Sequence, residues 1–281
     1  MATPGYTGPE LPQKSDLDPF ESFKATQKKA WSFFAPLETY TTPEAARLVR
    51  RARIRAGTRV LDVACGTGVV AITAAHHGAR VIGLDLTPEL LERARENSRI
   101  AEVEVEWREG DVEKLPFESG AFDAVLSQFG HIFAPRPNLA IAEMLRVLKP
   151  GGTIAFSTWP PELYVGRVFA LISGYMPPPP PGVSPPTQWG DPNVVSERLG
   201  GAVKDIVFDR MTMLLPALSL QHHRIFTERT AGPLVKLVES LAASDPARLA
   251  ALRREYDALS AEYFEENVIR QDYLITRATK I

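Results

Sequence analysis

Between residues 59 and 158, five short strand-like runs alternate with segments of helical length, and this alternation restricts the chain more than any other feature. The runs are 59–64, 80–84, 103–107, 122–127 and 153–158. Each is too short for a helix, and most are rich in Val, Ile, Leu and Phe, a composition that asks for burial on both faces of a sheet. Parallel strands need crossover connections of helical length, which is what separates these runs. Right-handed crossovers then bring the C-terminal ends of the strands to one edge, where open α/β folds take their ligands.

Helix ends are marked by capping chemistry. Thr42 with Pro43 behind it caps a helix running through Ala46, Leu48 and Val49. Thr87-Pro88-Glu89 caps a second, and Leu139, Ala142, Leu145 and Leu148 mark the face of a third that stops at Lys149-Pro150-Gly151-Gly152. Upstream, Phe20, Phe23, Gln27, Ala30, Trp31 and Phe34 lie near helical spacing, so a helix is predicted over 20–34 behind a loose arm at 1–19. After Trp159 the rhythm changes. A helix over 163–175 leads to five prolines at Pro177–Pro181, read as a stiff extended connector, then to a short helix ending at Leu199 and a strand over 206–215. Asp245 with Pro246 caps a long helix whose stripe Leu249, Leu252, Tyr256, Leu259 and Tyr263 buries one face, and 273–278 reads as a closing strand. The expected fold is α/β: a Rossmann-like, mostly parallel seven-stranded sheet with helices on both faces, plus a helical cap inserted before the last strand. The expected divisions are an N-terminal arm and lid helix at 1–41, a core at 42–215, the cap at 216–266 and the closing strand at 267–281.

The 281 residues carry a net charge of −2, which offers no basic field to a nucleic-acid backbone. The single cysteine, Cys65, forms no intrachain disulfide and fits a reducing compartment. The polar, proline-punctuated start lacks the apolar core of a secretion signal, and no apolar run approaches the ~20 residues of a membrane span. The expectation is a cytoplasmic chain without a nucleic-acid partner. No Cys/His cluster has metal-ligand spacing, so no metal is expected.

The first strand ends in VLDVACGTG, a glycine turn opening a helix. Asp62, Asp85 and Asp111 sit within or just beyond the ends of three successive strands, so the topology places them along one edge. Gly66 and Gly68 let backbone approach a ligand, and the helix starting near Gly68 offers free N–H groups. Asp85 is placed to accept from both ribose hydroxyls, and Asp111, behind Gly110, from an adenine amine. A dinucleotide is the competing ligand: Gly66, Gly68 and Ala71 satisfy G-x-G-x-x-A with Asp85 at the ribose distance, which supports an NAD(P)-dependent oxidoreductase as the alternative. Against it, Asp62 would repel a pyrophosphate and Asp111 has no task with a dinucleotide. A ligand with a sulfonium, an ammonium, a carboxylate and an adenosine uses all three acids. S-adenosylmethionine is that ligand. A cofactor-binding module without catalysis is the third reading.

The segments VLDVACGTG, GLDLTPELLERA, EGDVEKLPF, FDAVLSQFG and EMLRVLKPGGTIAF, in that order, resemble the class I S-adenosylmethionine-dependent methyltransferases, nearest to the small-molecule branch with quinone-biosynthesis C-methyltransferases. The resemblance is strong over about 42–158 and weaker beyond. It implies that Ala64, Cys65, Gly66 and Gly68 wrap the methionine part of the cofactor, with Ala64 standing where many members carry glycine. It further implies that Asp85 holds the ribose, that Leu86 packs on the adenine, that Asp111 and Val112 read the adenine edge, and that Gln128 borders the reacting methyl. The expected acceptor is a small molecule methylated by in-line displacement. Asp62 has a second reading, bracing the loop. His131, in SQFGHIF, is the one candidate base, with packing of that loop the blander assignment. Trp31 and Tyr40 read as a lid or as core, Trp159 and Trp189 as walls of an acceptor pocket or as core, and His222 and His223 as pocket lining or solvated side chains. Neither the acceptor nor the oligomeric state is legible.

Overall fold

The computed structural model describes residues 19–281, so the arm expected over 1–19 lies, apart from Pro19, outside the described residues. The chain runs α1 (Pro19–Trp31), α2 (Glu38–Arg51), β1 (Arg59–Val63), α3 (Val69–His76), β2 (Arg80–Asp85), α4 (Pro88–Ile100), β3 (Glu106–Glu109), β4 (Phe122–Gln128), α5 (Pro137–Val147), β5 (Leu148–Thr158) and α6 (Tyr164–Ser173). It continues with α7 (Pro192–Leu199), β6 (Val203–Pro216), α8 (Leu220–Thr230), α9 (Gly232–Ser244), α10 (Pro246–Ala261), β7 (Phe264–Glu265) and β8 (Val268–Lys280). The strands form one sheet in the order β3-β2-β1-β4-β5-β8-β6, with the two-residue β7 hairpinned onto β8. Strands β1 to β5 are parallel, and β8 runs antiparallel to both β5 and β6. The order reverses between β1 and β4. Right-handed crossovers that leave in opposite directions put α3 and α4 on one face of the sheet and α5 on the other.

Three departures from the expected bounds have a clear physical reason. The helix through Ala46 begins at Glu38, not at Thr42, behind a 3₁₀ turn over Ser32–Leu37. Pro43 sits inside it, while the hydroxyls of Thr41 and Thr42 donate to the Leu37 and Glu38 carbonyls of the first turn. β3 is displaced from 103–107 to Glu106–Glu109. Its register sets Trp107 opposite Gly83, where the indole fills the space that a β-carbon would occupy. β5 starts before the expected 153, taking Lys149-Pro150-Gly151-Gly152 into a strand that opens at Leu148, with a register shift beside β4.

The main core fills the space between sheet and helices. A second core joins Tyr164, Val168 and Ile172 of α6 to Leu234, Leu237, Leu252 and Tyr256 of the helices between β6 and β8. Leu249, Leu252, Tyr256 and Leu259 of the α10 stripe are buried and Tyr263 half-buried, and Asp245 caps the helix by accepting from the Arg248 N–H. At its centre, Tyr164 Oη bonds His223 Nε2 (2.6 Å) and Ser260 Oγ (3.0 Å), so the side chains of the adjacent histidines part: His223 is buried and His222 exposed. α1 packs on α9 so closely that a β-carbon at Gly232 would lie 2.0 Å from the Ala30 carbonyl oxygen. The N-terminal helix and the inserted helices thus touch directly. Among the described residues, no helix is long and apolar enough to cross a membrane.

Candidate cofactor site

The turn after β1 holds Ala64 at φ +51°, Gly66 at +55° and Gly68 at +84°. Its two glycines do different work. A β-carbon on Gly66 would meet nothing within 4 Å, whereas one on Gly68 would stand 2.4 Å from Trp107 Cη2. Gly66 therefore faces open space at the strand ends, and Gly68 makes room for the indole beneath the turn. Ala64 keeps a left-handed conformation that costs a non-glycine residue about 1–2 kcal/mol. The loop after β4 presses on it, since a β-carbon on Gly130 would come within 2.5 Å of the Ala64 carbonyl oxygen.

Asp62 is fully buried; its Oδ2 accepts from the Ala71 N–H (3.0 Å), and its Oδ1 has no partner. One oxygen thus braces α3 while the other remains unused. Burial pushes this carboxyl well above the usual range, the Ala71 hydrogen bond opposes that, and the charge of Asp85 adds to it. Asp85 accepts from the Gly66 N–H through Oδ2 and from the Thr87 N–H through Oδ1, both at 2.8 Å. Burial raises its pKa too, with those N–H groups pulling it back. Cys65 is buried and its thiol is pushed well up, first by burial and then by the two acids, which keeps it protonated. Leu86 and Val112 are half-buried at the same edge. Gly110 donates its N–H to the Asp85 carbonyl (2.9 Å), and its missing side chain makes room for Leu84.

Asp111 is not alone. Its Oδ1 accepts from the Glu113 N–H (2.8 Å), and its Oδ2 lies 2.5 Å from Lys24 Nζ of α1. Lys24, only 5% exposed, also reaches Glu113 Oε2 (2.6 Å), which Arg136 holds from the far side (2.7 Å). Burial alone would lower the lysine's pKa; the hydrogen bonds and charges of Asp111 and Glu113 outweigh it and leave it raised. Sequence reading missed Lys24, Glu113 and Arg136. The legible signal was a lysine four residues after Phe20 and seven before Trp31, on the aromatic face of its helix. Lys24→Met removes one partner of this buried cluster, and a loss of about 2 kcal/mol in urea unfolding is expected, reduced from a full buried-pair loss because Arg136 still holds Glu113.

Gln128 donates from Nε2 to the Thr41 carbonyl (2.8 Å), pinning α2 to the end of β4, while its Oε1 is buried without a partner. Trp31 packs on Phe133 (centroids 4.2 Å apart), and Tyr40 sets its edge to Phe226 of α8. Two aromatic assignments resolve towards core. Trp159 is stacked on Phe129 at 4.0 Å, and Trp189 is buried against His131 and Phe156.

His131 is corrected as a candidate base. It is wholly buried between Phe156 and Trp189, neither ring nitrogen has a partner, and burial with the nearby Arg198 charge lowers its pKa to about 3. Such a ring is neutral at pH 7 and too weak to take a proton. Its lowered pKa stabilises the fold fully above the unfolded value near 6.5, and the contribution is lost as pH falls towards 3. His131→Phe is expected to remove that dependence. Between pH 7 and pH 5 the variant loses about 2 kcal/mol less stability than the parent chain. Urea unfolding at the two pH values measures this, and equal losses would show that the ring is charged in the folded state.

A family profile described as a methyltransferase domain matches residues 60–152. An uncharacterized protein of Mycobacterium tuberculosis is 38% identical over 259 residues, covering 91% of this chain and 94% of that protein. The demethylmenaquinone methyltransferase of Thermus thermophilus is 39% identical over 140 residues, 46% of this chain and 64% of that enzyme. Among solved structures, the phosphoethanolamine N-methyltransferase 2 of Haemonchus contortus in complex with S-adenosyl-L-methionine aligns over 95% of this chain and 61% of its own, with a TM-score of 0.59 and 17% identity. The chain belongs to the class I S-adenosylmethionine-dependent methyltransferases, whose methyl donor is S-adenosylmethionine.

Proposed function

We propose that this protein transfers the methyl group of S-adenosylmethionine to a small-molecule acceptor by in-line displacement, at the edge where β1, β2 and β4 end. The observation that carries the reading is the open face of Gly66 beside the Asp85 carboxylate, a cradle where a β-carbon would project into space that the chain itself leaves unfilled. The buried, unpartnered Oδ1 of Asp62 and Oε1 of Gln128 at the same edge are acceptors awaiting a donor, as a ligand carrying an ammonium group requires.

In this reading Ala64, Cys65, Gly66 and Gly68 wrap the methionine portion with backbone, Asp62 attracts its ammonium group, and Asp85 takes the ribose hydroxyls. Leu86 packs on the adenine, Asp111 and Val112 behind Gly110 read its edge with Asp111 accepting from the amine, and Gln128 borders the reacting methyl. When bound, the sulfonium supplies an electrophilic methyl group. The chain's own residues hold the acceptor in line and keep water away, and positioning alone contributes roughly 7–11 kcal/mol to such a reaction. No base is assigned, since His131 is unsuited and an acceptor that is already electron-rich needs none. Within the N-terminal division 1–41, α1 acts as the lid helix over a core at 42–215, with 216–266 as the cap and 267–281 closing the sheet. The tie from Lys24 to Asp111 and the α1–α9 contact support that division. A small, planar or lipophilic acceptor is supported by the likeness to a demethylmenaquinone methyltransferase and by the half-buried Trp31, Phe133 and Tyr40 near the cleft. The net charge of −2 supports a reading without a nucleic-acid partner, in the cytoplasm.

Isothermal titration with S-adenosylhomocysteine tests donor binding directly; absence of heat from folded protein removes the proposal. Transfer of a labelled methyl group from the donor into a metabolite extract tests the acceptor class, with label recovered only on protein or RNA counting against a small molecule.

A further inference from the structure

Away from the donor cleft, a cavity of about 440 Å³ is lined by Arg50, Arg51, Arg53, Val207, Asp209 and Arg277. Four arginines line it with a single acidic residue. Arg51 Nη1 lies 3.2 Å from Asp209 Oδ2, and its Nε is buried without a hydrogen-bond partner. Among the described residues, the side chains of Arg50, Arg53 and Arg277 have neither a hydrogen bond nor an ion pair.

Local structure accounts for only part of this cluster. Arg50 and Arg51 occupy the last turn of α2, where cations suit the helix dipole. Arg53 lies past the end, at the residue after the C-cap Ala52, with φ +57°. The Ile54 N–H bonds the Val49 carbonyl and the Arg53 N–H bonds the Arg50 carbonyl, a Schellman ending in which the left-handed residue is ordinarily glycine. An arginine there carries a conformational cost that the helix ending does not require. Arg277 arrives from β8, opposite Val207 of β6, and owes nothing to α2. Arginines from a helix end, a turn and a distant strand thus line one cavity with a local excess of three positive charges. Like charges that outnumber their one counter-charge repel one another, and planar forks with unused donors match a tetrahedral oxyanion.

We propose that this cavity is a binding site for a phosphoryl group carried by a small molecule, separate from the methyl-donor site. A charge excess of three favours a multiply charged phosphoryl group over a lone carboxylate. The volume lies within the roughly 300–1,000 Å³ of small-molecule sites, which leaves room for an organic portion. The cavity and the donor cleft lie at opposite ends of α2. Thr41 accepts from Gln128 near one end, and Arg51 lies about 15 Å along the helix at the other.

The test uses the full chain without methyl donor, so its outcome is independent of the proposed activity. Inorganic phosphate and pyrophosphate are titrated calorimetrically at constant ionic strength against a chloride control. Arg53→Gly places glycine at a left-handed position, so it is expected to keep or raise the Tm while weakening phosphate binding about tenfold, the loss of one charge-assisted pairing. Arg277→Gln is expected to weaken binding comparably. Sedimentation with phosphatidylcholine vesicles containing phosphatidic acid separates two sources of the same chemistry: pelleting abolished by both substitutions assigns a lipid headgroup, and phosphate binding without pelleting assigns a soluble molecule. No heat with either anion, or equal affinities in the parent and both variants, overturns the site.

Discussion

Asp85→Ala is expected to lower the affinity for S-adenosylhomocysteine about 5- to 150-fold. The carboxylate is buried, and it already accepts the Gly66 and Thr87 N–H groups. Its removal deletes the proposed ribose acceptor and leaves two backbone donors without partners, a loss of about 1–3 kcal/mol for an unsatisfied buried group. Asp85→Asn keeps one acceptor oxygen and gives up the charge, so an intermediate loss is expected. Calorimetric titration of both variants checks the order. A dissociation constant unchanged in the alanine variant contradicts the assignment of Asp85, even if the protein still binds the donor.

The second large effect separates two glycines that the motif alone makes equivalent. Gly66→Ala places a methyl group in open space at φ +55°, so folding should suffer only the conformational cost of about 1–2 kcal/mol. Cofactor binding should fall at least tenfold, because the methyl group occupies the proposed cradle. Gly68→Ala does the reverse. Its β-carbon would stand 2.4 Å from the Trp107 ring at φ +84°, and overpacking with strain is expected to cost about 2–4 kcal/mol of stability. Urea unfolding measured beside titration distinguishes the two. If Gly66→Ala binds like the parent, the cradle is not where the methionine portion lies.

Much of the architecture was legible because parallel strands buried on both faces write themselves as apolar runs with helix-length spacers. The closing strand and a helical insertion before it were readable from pattern, with Asp245-Pro246 and the stripe at Leu249, Leu252, Tyr256 and Leu259 marking the last inserted helix; the reversed direction of that strand was not. The displaced β3 was not, because its register answers to the fit of Trp107 under Gly68 and Gly83, a contact between distant segments. The start of α2 was mistaken because Thr42-Pro43 carries a strong local capping signal that packing overrode.

The candidate site divides in the same way. Asp62, Asp85 and Asp111 were placed on one edge by counting strands, since a crossover rule acts on order alone. The partners of those acids were hidden. Lys24 comes to Asp111 from 87 residues away, and Asp62 shares itself with Ala71. Sequence alone left His131 between a loop-packing ring and a base, and folding made it an unpartnered ring between Phe156 and Trp189. By itself, then, the order of residues determined the layered sheet, the edge that receives a ligand and the family. The tertiary structure alone decided which glycine opens outward, which histidine is neutral and which arginines share a cavity. Periodicity and turn chemistry act between near neighbours and survive in one dimension, whereas burial and charge pairing depend on side chains that only folding brings together.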